Sequence, residues 1–268
     1  MIAEFASALA LLAPAPSATL VAAGDIAACE ATGDEATAAL VARTPGTVAV
    51  LGDAVYERAT TEQLRDCYSW RGFRNRTRAA LGNHEYGSDS AAGAAAAIEY
   101  FGLPPRGYYS YNLGSWHIVV LNTNCGPAGG CGPGSPQKAW LRRDLAAHRA
   151  RCTLAYAHHP RWSSGLHGSD STLASLWREL AVGGVDVYLA GHDHHYELFA
   201  PIDGIRSFVV GTGGRSHYPV FGRLPKSVAM NDDTFGVLRL RLWARGYNWR
   251  FLPVAGESYS DAGAALCR

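Results

Sequence analysis

The sequence lacks the features by which membrane, nucleic-acid and thiolate-metal proteins are commonly recognised. Its 268 residues carry 24 Lys+Arg against 23 Asp+Glu, so the basic excess that would hold nucleic acid or a membrane surface is missing. No apolar run reaches the roughly 18 residues of a membrane-spanning helix. No two cysteines form a Cys-x-x-Cys pair, which disfavours a thiolate zinc site. We therefore expect no membrane span and no nucleic-acid scaffold role, and the oligomeric state stays open.

Six cysteines are nevertheless present, and their number and spacing favour disulfide bonds. An even count without metal-ligand spacing is typical of exported proteins, so we expect a secreted, periplasmic or extracellular location. Six cysteines allow fifteen connectivities, and the sequence alone does not choose among them. The alternative is that some of them are small buried core residues. The pairing that we favour is Cys125–Cys131 around the loop CGPAGGC, with Cys29–Cys67 and Cys152–Cys267.

The N-terminal stretch FASALALLAPAPSA resembles the apolar part of a secretory signal followed by small residues. A basic leader is missing, because Glu4 stands where Lys or Arg is expected. The stretch is therefore either a shortened signal or a frayed tail, and both interpretations place residues 1–17 outside the fold. Residues 18–268 are expected to form a single domain, because 48% of the chain is hydrophobic and no long linker interrupts it.

A repeated construction organises the chain: a short apolar strand ends in Gly or Ala and is followed by a polar residue of a metal-ligand type. The five instances are TLVAAGD ending at Asp25, TVAVLGD ending at Asp53, TRAALGNH ending at Asn83 and His84, TLAYAHH ending at His158 and His159, and VDVYLAGHDH with His192 and His194. Helices are expected between these strands, at roughly 34–43, 61–73, 90–101, 137–148 and 171–182. Alternating strands and helices are typical of an α/β protein with a mostly parallel sheet.

Two further stretches predict antiparallel hairpins. GYYSYNLGSWHIVVLNTN turns near Gly114, and FGVLRLRLWARGYNWRFLPV turns near Gly246. A mixed sheet, or two packed sheets with helices outside, would hold all of these elements. In open α/β sheets the carboxyl ends of the strands bind ligands. The five polar strand ends should therefore converge at one edge.

These strand ends offer oxygen and imidazole donors for metal ions. The donors are Asp25, Asp53, Asn83, His158, His192 and His194, joined by Tyr56 three residues after Asp53. This mixture suits Zn, Fe or Mn. Seven donors exceed the four ligands of a single tetrahedral zinc ion, so they suit two metal ions that share a bridging carboxylate.

Taken together, the five strand ends resemble the motif blocks of the calcineurin-like metallophosphoesterase superfamily. The blocks are GDI at Asp25, GDAVY from Asp53 to Tyr56, GNHE around Asn83, AHHP at His158, and GHDH from His192 to His194. The common first block is Asp-x-His, whereas Ala27 stands here in place of that histidine. Tyr56 is placed to replace it, as in the purple acid phosphatase branch. The resemblance implies a four-layer αββα sandwich of two mixed β-sheets flanked by helices.

The resemblance also implies how the metal ions are held. One ion would bind Asp25, Asp53, Tyr56 and His194, and the other would bind Asp53, Asn83, His158 and His192, so that Asp53 bridges. A tyrosinate ligand favours Fe(III) beside a divalent Zn, Mn or Fe ion, because only a strong Lewis acid ionises a phenol whose free pKa is about 10. The alternative is that Tyr56 only makes hydrogen bonds and both ions are divalent.

The activity implied is that of a secreted, acid phosphatase-like enzyme that hydrolyses small phosphate monoesters by attack of a metal-bound hydroxide. His84 is the candidate acid that protonates the leaving group. His167 and His217 are candidate substrate-binding residues, or else solvated loop histidines. A phosphodiesterase acting on nucleotides or phospholipid headgroups is the alternative, because loops rather than metal ions separate the two activities. A non-catalytic metal-binding module is disfavoured, because none of the predicted ligands is replaced.

Overall fold

Two mixed β-sheets form the centre of the molecule. The computed structural model describes residues 17–87 and 93–268, so the predicted N-terminal segment 1–17 lies outside the described residues except for Ser17. The first sheet contains β1 (Ala18–Ala23), β3 (Thr47–Leu51), β5 (Thr77–Ala80), β13 (Gly236–Trp243), β14 (Gly246–Pro253) and β15 (Ala262–Leu266). Their spatial order is β15-β14-β13-β1-β3-β5. β1, β3 and β5 run parallel, and the other three strands extend the sheet antiparallel from β1.

The second sheet has seven strands and the same mixed character. It contains β6 (Tyr109–Leu113), β7 (Trp116–Val120), β8 (Cys152–Tyr156), β9 (Val187–Ala190), β10 (Tyr196–Ile202), β11 (Ile205–Val210) and β12 (Ser227–Asn231). Their spatial order is β12-β10-β11-β9-β8-β7-β6, with β7, β8, β9 and β11 parallel. A short parallel pair, β2 (Ala27–Ala28) and β4 (Val55–Tyr56), follows the ends of β1 and β3. Both predicted hairpins are confirmed, as β6–β7 and β13–β14.

Helices connect the parallel strands. They are α1 (Gly33–Arg43), α2 (Thr61–Asp66), α3 (Asn83–Tyr86), α4 (Ala95–Phe101), α5 (Pro136–Ala147) and α6 (Ala174–Val182), with 3-10 helices at Ser69–Arg76 and Ser171–Leu173. α5 begins close to the predicted residue 137, because Pro136 occupies its first turn and the Ser135 hydroxyl accepts a hydrogen bond from the Lys138 amide at 3.3 Å. None of the described helices has the length and apolar character needed to cross a membrane.

Alternation along the strands of the second sheet divides the core into two layers. Ile118 and Val120 of β7 face the first sheet and belong to the large core between the sheets. Val119 points to the opposite side, where it packs in a smaller core with Leu141 of α5 and Leu180 of α6. This is the two-residue period of a strand that is buried on both faces. The predicted α/β architecture of two mixed sheets covered by helices is confirmed.

The predicted helix 61–73 is wrong in its length. α2 starts at the Thr60 capping box but ends at Asp66, and Tyr68 is extended before the 3-10 helix begins. Cys67 lies at this break and is bonded to Cys29, which fixes the chain after α2. The predicted helix 90–101 is observed only from Ala95, and residues 88–92 lie outside the described part of the chain.

All six cysteines are paired, in the connectivity that the sequence analysis favoured. Cys29–Cys67 closes a separation of 38 residues, Cys125–Cys131 one of 6 and Cys152–Cys267 one of 115. The alternative of free buried cysteines is wrong. The longest of these bridges joins the start of β8 to the residue after β15, so it connects the two sheets.

Candidate metal centre

The Tyr56 hydroxyl is the meeting point of one group of predicted ligands. It lies 2.8 Å from Oδ1 of Asp25 and 2.9 Å from Oδ2 of Asp53. Nε2 of His194 lies 3.0 Å from the same hydroxyl and 3.3 Å from Oδ1 of Asp25. All four side chains are buried. The ends of β1, β3, β4 and β9 therefore bring these residues together, although they are as much as 169 positions apart in the sequence.

A second group surrounds Nε2 of His158. This nitrogen lies 3.0 Å from Oδ1 of Asn83 and 3.1 Å from Nδ1 of His192. It also lies 3.2 Å from Oδ2 of Asp53, the oxygen atom that faces Tyr56. A single carboxylate oxygen thus touches both groups, and all seven predicted ligands lie in one cluster.

The backbone at the strand ends is bent sharply to bring these side chains inward. Asp25, Asp53 and His192 have φ angles of 60°, 50° and 70°, in the left-handed region that non-glycine residues seldom adopt. The His192 amide donates to Oδ2 of Asp25 at 2.8 Å, which couples two of the bends. Such strained residues persist where the surrounding structure holds them, and they concentrate at functional sites.

Glu85 connects the Asp53 turn to the turn that carries Asn83. Its buried carboxylate accepts hydrogen bonds from the backbone amides of Asp53, Ala54 and Gly82. Gly82 must lack a side chain, because a Cβ atom there would lie 2.1 Å from Oδ1 of Asp53. Burial, with a smaller contribution from the Asp53 charge, raises the pKa of Glu85 to about 7. Glu85 therefore holds the ligand loops in place.

The arrangement of lone pairs in the cluster requires positive charge. Nδ1 of His158 donates to the Leu51 carbonyl at 2.9 Å, so in the neutral ring Nε2 carries a lone pair toward the oxygens of Asp53 and Asn83. Burial opposes protonation of His158, but the facing Asp53 carboxylate outweighs it and raises the pKa of His158 to about 10. The donor set fits metal ions, which would meet these lone pairs directly.

The surroundings of Tyr56 also favour a positive charge in the cluster. Burial and then the charges of Asp25 and Asp53 raise the pKa of Tyr56 well above its ordinary value. Its one proton is shared between two carboxylates that both lie within 2.9 Å. Tyr56 therefore remains a neutral phenol unless a strong cation replaces that proton.

His84 lies at the rim of the cluster and is accessible. Its ring centroid is 4.1 Å from that of Tyr56, and 27% of its side chain is exposed. Nδ1 donates to the Glu57 carbonyl at 2.8 Å and lies 3.5 Å from the Glu57 carboxylate. Nε2 is therefore the nitrogen that is left to meet a ligand, and this placement suits the predicted acid.

The two candidate substrate-binding histidines lie in different surroundings. The exposed His167 ring lies 4.4 Å from the His192 ring, at the edge of the cluster. The His217 ring instead stacks on Phe235 at 4.0 Å, and its ring contact is not with a predicted ligand. Burial lowers the pKa of His217. The structure thus brings the His167 ring against a predicted ligand ring, whereas the His217 ring stacks on Phe235.

Two residues at the site were missed by sequence reasoning. The Tyr218 ring stacks on His194, with 4.0 Å between centroids and 11° between planes. The Arg215 guanidinium lies 5.2 Å from the Tyr56 ring centroid and donates to the Glu57 carboxylate at 3.0 Å. Both follow β11, which ends at Val210 and runs into Gly211. That strand end also reaches a glycine, but Arg215 and Tyr218 come four and seven residues after Gly211, so the pattern of the other five strand ends does not reveal them.

The amino-acid sequence is similar to those of known phosphatases. A sequence model described as calcineurin-like phosphoesterase matches residues 12–196. Tartrate-resistant acid phosphatase type 5 of Mus musculus is 30% identical over 241 residues, which cover 75% of this chain and 74% of that protein. An uncharacterised protein of Mycobacterium tuberculosis is 27% identical over 226 residues, 73% of this chain and 41% of that protein. The chain thus spans less than half the length of this mycobacterial relative.

The fold is similar to that of a solved plant enzyme. Purple acid phosphatase from seeds of yellow lupin (Lupinus luteus) superposes with a TM-score of 0.74 at 18% sequence identity. The match covers 93% of this chain and 55% of the lupin chain. The two proteins therefore share the architecture over nearly all of this chain, and the lupin protein has a further part that this chain does not match.

Proposed function

The chain belongs to the calcineurin-like phosphoesterase family, and from this premise we propose that it hydrolyses phosphate monoesters with two metal ions. The predicted resemblance to this family and to its purple acid phosphatase branch is confirmed by the mouse relative and the lupin fold. The mouse relative is by name an acid phosphatase, which supports a monoester substrate. The chain spans less than half of the mycobacterial relative, so the support for this activity is the geometry of the site.

The contact of Asp53 with both ligand groups is the observation that carries the proposal. Oδ2 of Asp53 lies 2.9 Å from the Tyr56 hydroxyl and 3.2 Å from Nε2 of His158. One ion would be held by Asp25, Asp53, Tyr56 and His194, and the other by Asp53, Asn83, His158 and His192. Two cations that share one carboxylate would explain why seven potential metal ligands lie so close together although few of their facing atoms carry a proton.

Fe(III) with a divalent Zn, Mn or Fe ion is the metal pair that we propose. The support is the burial of the Tyr56 phenol between two carboxylates, which only a strongly charged ion would ionise. When bound, the two ions would supply the positive charge that binds phosphoryl oxygens and activates water.

Other tasks of the reaction would fall to side chains of the cluster and its rim, which hold the strand ends, protonate the leaving group and bind phosphate. Asp25, Asp53 and Glu85 hold the strand ends in their strained turns through backbone hydrogen bonds. His84 presents Nε2 beside Tyr56, where it would protonate the leaving oxygen of the ester. His167 lies on another side of the cluster, next to His192, where it would donate a hydrogen bond to a bound phosphate oxygen.

We assign the protein to an oxidising compartment and treat residues 18–268 as one domain. The support for export is the set of three disulfides, because such bonds persist outside the reducing cytoplasm. The support for one domain is the pairing of β13 with β1, which puts the C-terminal strands in the same sheet as the first strand.

The test combines metal analysis with two substrates. Elemental analysis of natively purified protein should find about two metal ions per chain, with iron as one of them. An aryl phosphate should be hydrolysed faster than the corresponding bis-aryl phosphate. Asp186→Asn is the control variant, because Asp186 is also a buried carboxylate that accepts two backbone amides but it lies beside β8 and Arg268.

Each part of the proposal has an outcome that would contradict it. Preference for the bis-aryl phosphate would mean that the enzyme is a diesterase with the same metal centre. Native protein that holds two metal ions but hydrolyses neither ester would identify a metal-binding module without catalysis. Protein with fewer than two bound metal ions after purification and reconstitution would contradict the binuclear centre.

A further inference from the structure

The loop of residues 163–168 carries His167 to the edge of the metal centre. The His167 ring lies 4.4 Å from the His192 ring and 5.5 Å from the Tyr218 ring. Across residues 17–87 and 93–268, no hydrogen bond holds the His167 imidazole itself; its only hydrogen bond is made by its backbone. The position of this side chain is therefore determined by how the loop backbone is held.

Asp193 holds that backbone. It is fully buried, and Oδ1 accepts a hydrogen bond from the His167 amide at 2.8 Å. Oδ2 accepts from the Ser163 hydroxyl at 2.5 Å and from the Gly168 amide at 3.2 Å. One carboxylate thus takes three donors from a single six-residue loop. A buried carboxylate is stable only when such donors surround it, so release of the loop would be costly.

The middle of the loop packs tightly onto the same carboxylate. A Cβ atom on Gly165 would lie 2.5 Å from Cγ of Asp193, so a larger residue could not take its place without moving the loop. A second buried carboxylate, Glu197, accepts from the amide and the hydroxyl of Ser164 at 2.8 and 2.6 Å. The loop is therefore fixed at both ends and at its centre.

Asp193 lies between His192 and His194, the two histidines predicted to bind different metal ions. We propose that Asp193 is a positioning residue that places His167 beside His192, so that its imidazole donates a hydrogen bond to a phosphate oxygen of the substrate. This inference rests on the proposed phosphatase function. It assigns to Asp193 a role distinct from metal binding, because its three hydrogen bonds all lead away from the ligand cluster and into the loop.

A double-mutant cycle between Asp193 and His167 tests the proposal. Asp193→Asn and His167→Asn should each lower kcat/KM for an aryl phosphate about tenfold, mainly through KM, and weaken inhibition by inorganic phosphate to a similar extent. The double variant should be no worse than His167→Asn alone, because Asp193 acts only through that ring. The proposal is overturned if the fold-losses in kcat/KM of the two single variants multiply in the double variant. Independent structural defects would combine in that way.

Metal content and stability are measured on the same samples. Asp193→Asn should keep the metal content of the parent protein, and loss of metal would mean that Asp193 supports the ligands instead. Ser163→Ala removes one of the three donors without touching the ligand segment, so it should give a smaller loss in the same parameters. An unchanged KM and unchanged phosphate inhibition in both variants would also contradict the proposal.

Amide hydrogen exchange gives a readout that does not depend on activity. The His167 and Gly168 amides should exchange faster in Asp193→Asn than in the parent protein, and Asp186→Asn should leave them unchanged. Equal exchange rates in all three proteins would show that Asp193 does not hold the loop backbone. If the parent protein hydrolyses no phosphate ester, the proposed function fails, whereas the exchange data still decide whether Asp193 holds the loop.

Discussion

Oδ2 of Asp53 lies 3.2 Å from Nε2 of His158, and neither side chain is more than 2% exposed. The same oxygen is 2.9 Å from the Tyr56 hydroxyl, so this single atom contacts a residue of each ligand group. Oδ1 of Asp53 accepts from the His84 amide at 2.9 Å, which orients the carboxylate. Asp25 differs from Asp53, because its side chain makes hydrogen-bond contacts with side chains of the first group only, and its hydrogen bond with the second group comes from the backbone amide of His192.

Replacing Asp53 with Ala should therefore release both metal ions, whereas Asp25→Ala should release one. The physical reason is that only Asp53 contributes a donor to each group. Elemental analysis after dialysis, with metal expressed per chain, measures the difference. Asp53→Ala that retains two tightly held ions would rule out the bridge.

His84→Ala should slow the hydrolysis of alkyl phosphates more than that of aryl phosphates with acidic phenols. A poor leaving oxygen needs a proton as the ester bond breaks, whereas a good one does not, and general acids typically contribute about 100- to 10,000-fold. The ratio of kcat values for the two substrates is the measurement. His148→Ala, which changes an exposed ring at the end of α5, is the control. An equal loss on both substrates would argue against a proton donor at this position.

Tyr56→Phe should abolish any violet colour of the oxidised protein. The absorption of a purple iron centre would come from charge transfer between phenolate and Fe(III), and Tyr56 is the only phenol in contact with the ligand carboxylates among the described hydrogen bonds. Visible spectra of the parent and the variant, both loaded with iron, provide the test. Colour that survives the change would assign the phenolate to another residue, and a colourless parent that contains iron would favour the divalent alternative.

The convergence of the seven predicted ligands could be predicted from the sequence because the signal is local. Each ligand follows a short apolar strand, and parallel strands deliver their carboxyl ends to one edge whatever lies between them. Arg215 and Tyr218 were missed although they follow β11, because the polar residues there come four and seven positions after the loop begins rather than at once. Asp193 was passed over because its partners are two backbone amides and a serine hydroxyl of a loop some 25 positions or more away, contacts that a sequence does not display.

The lengths of helices were less predictable, because they depend on contacts between residues that are distant in the sequence. The helix expected over residues 61–73 stops after Asp66, and its continuation is a separate 3-10 helix. The break is set by the disulfide from Cys67 to Cys29, a contact over 38 positions that periodicity within the segment could not reveal. The substrate-binding role of His217 stays a prediction, because its ring stacks on Phe235, a contact that the sequence does not display.

The three disulfides should contribute unequally to stability. In the chain-entropy model, the bridge over 115 residues is worth about 5 kcal/mol and the bridge over 6 residues about 2 kcal/mol. The paired variant Cys152→Ala with Cys267→Ala should thus lose more free energy of unfolding than Cys125→Ala with Cys131→Ala. Chemical denaturation of both variants under the same conditions measures this difference. The reverse order would mean that local strain or packing, rather than loop closure, dominates.

A buried pair outside the metal centre predicts a pH dependence of stability. Oδ2 of Asp144 lies 2.7 Å from Nε2 of His117, and its Oδ1 accepts from the Ser110 hydroxyl at 2.6 Å. Burial opposes ionisation of Asp144, but these hydrogen bonds outweigh it and lower the pKa of the carboxyl below its ordinary value. The folded protein therefore binds the Asp144 proton more weakly than the unfolded chain does.

The sign of the effect follows from that difference in proton binding. Above the unfolded pKa of about 4 the contribution of Asp144 is fully present, and it is lost as the pH falls through the lower folded pKa. Asp144→Asn should accordingly reduce the free energy of unfolding at neutral pH and flatten its decline between about pH 5 and pH 3. Denaturant titrations of metal-free protein in chelator at several pH values measure both slopes, and Glu99→Gln, an exposed carboxylate on α4, is the control. A parent and an Asp144→Asn variant that lose stability in parallel on acidification would show that Asp144 is not a source of the dependence.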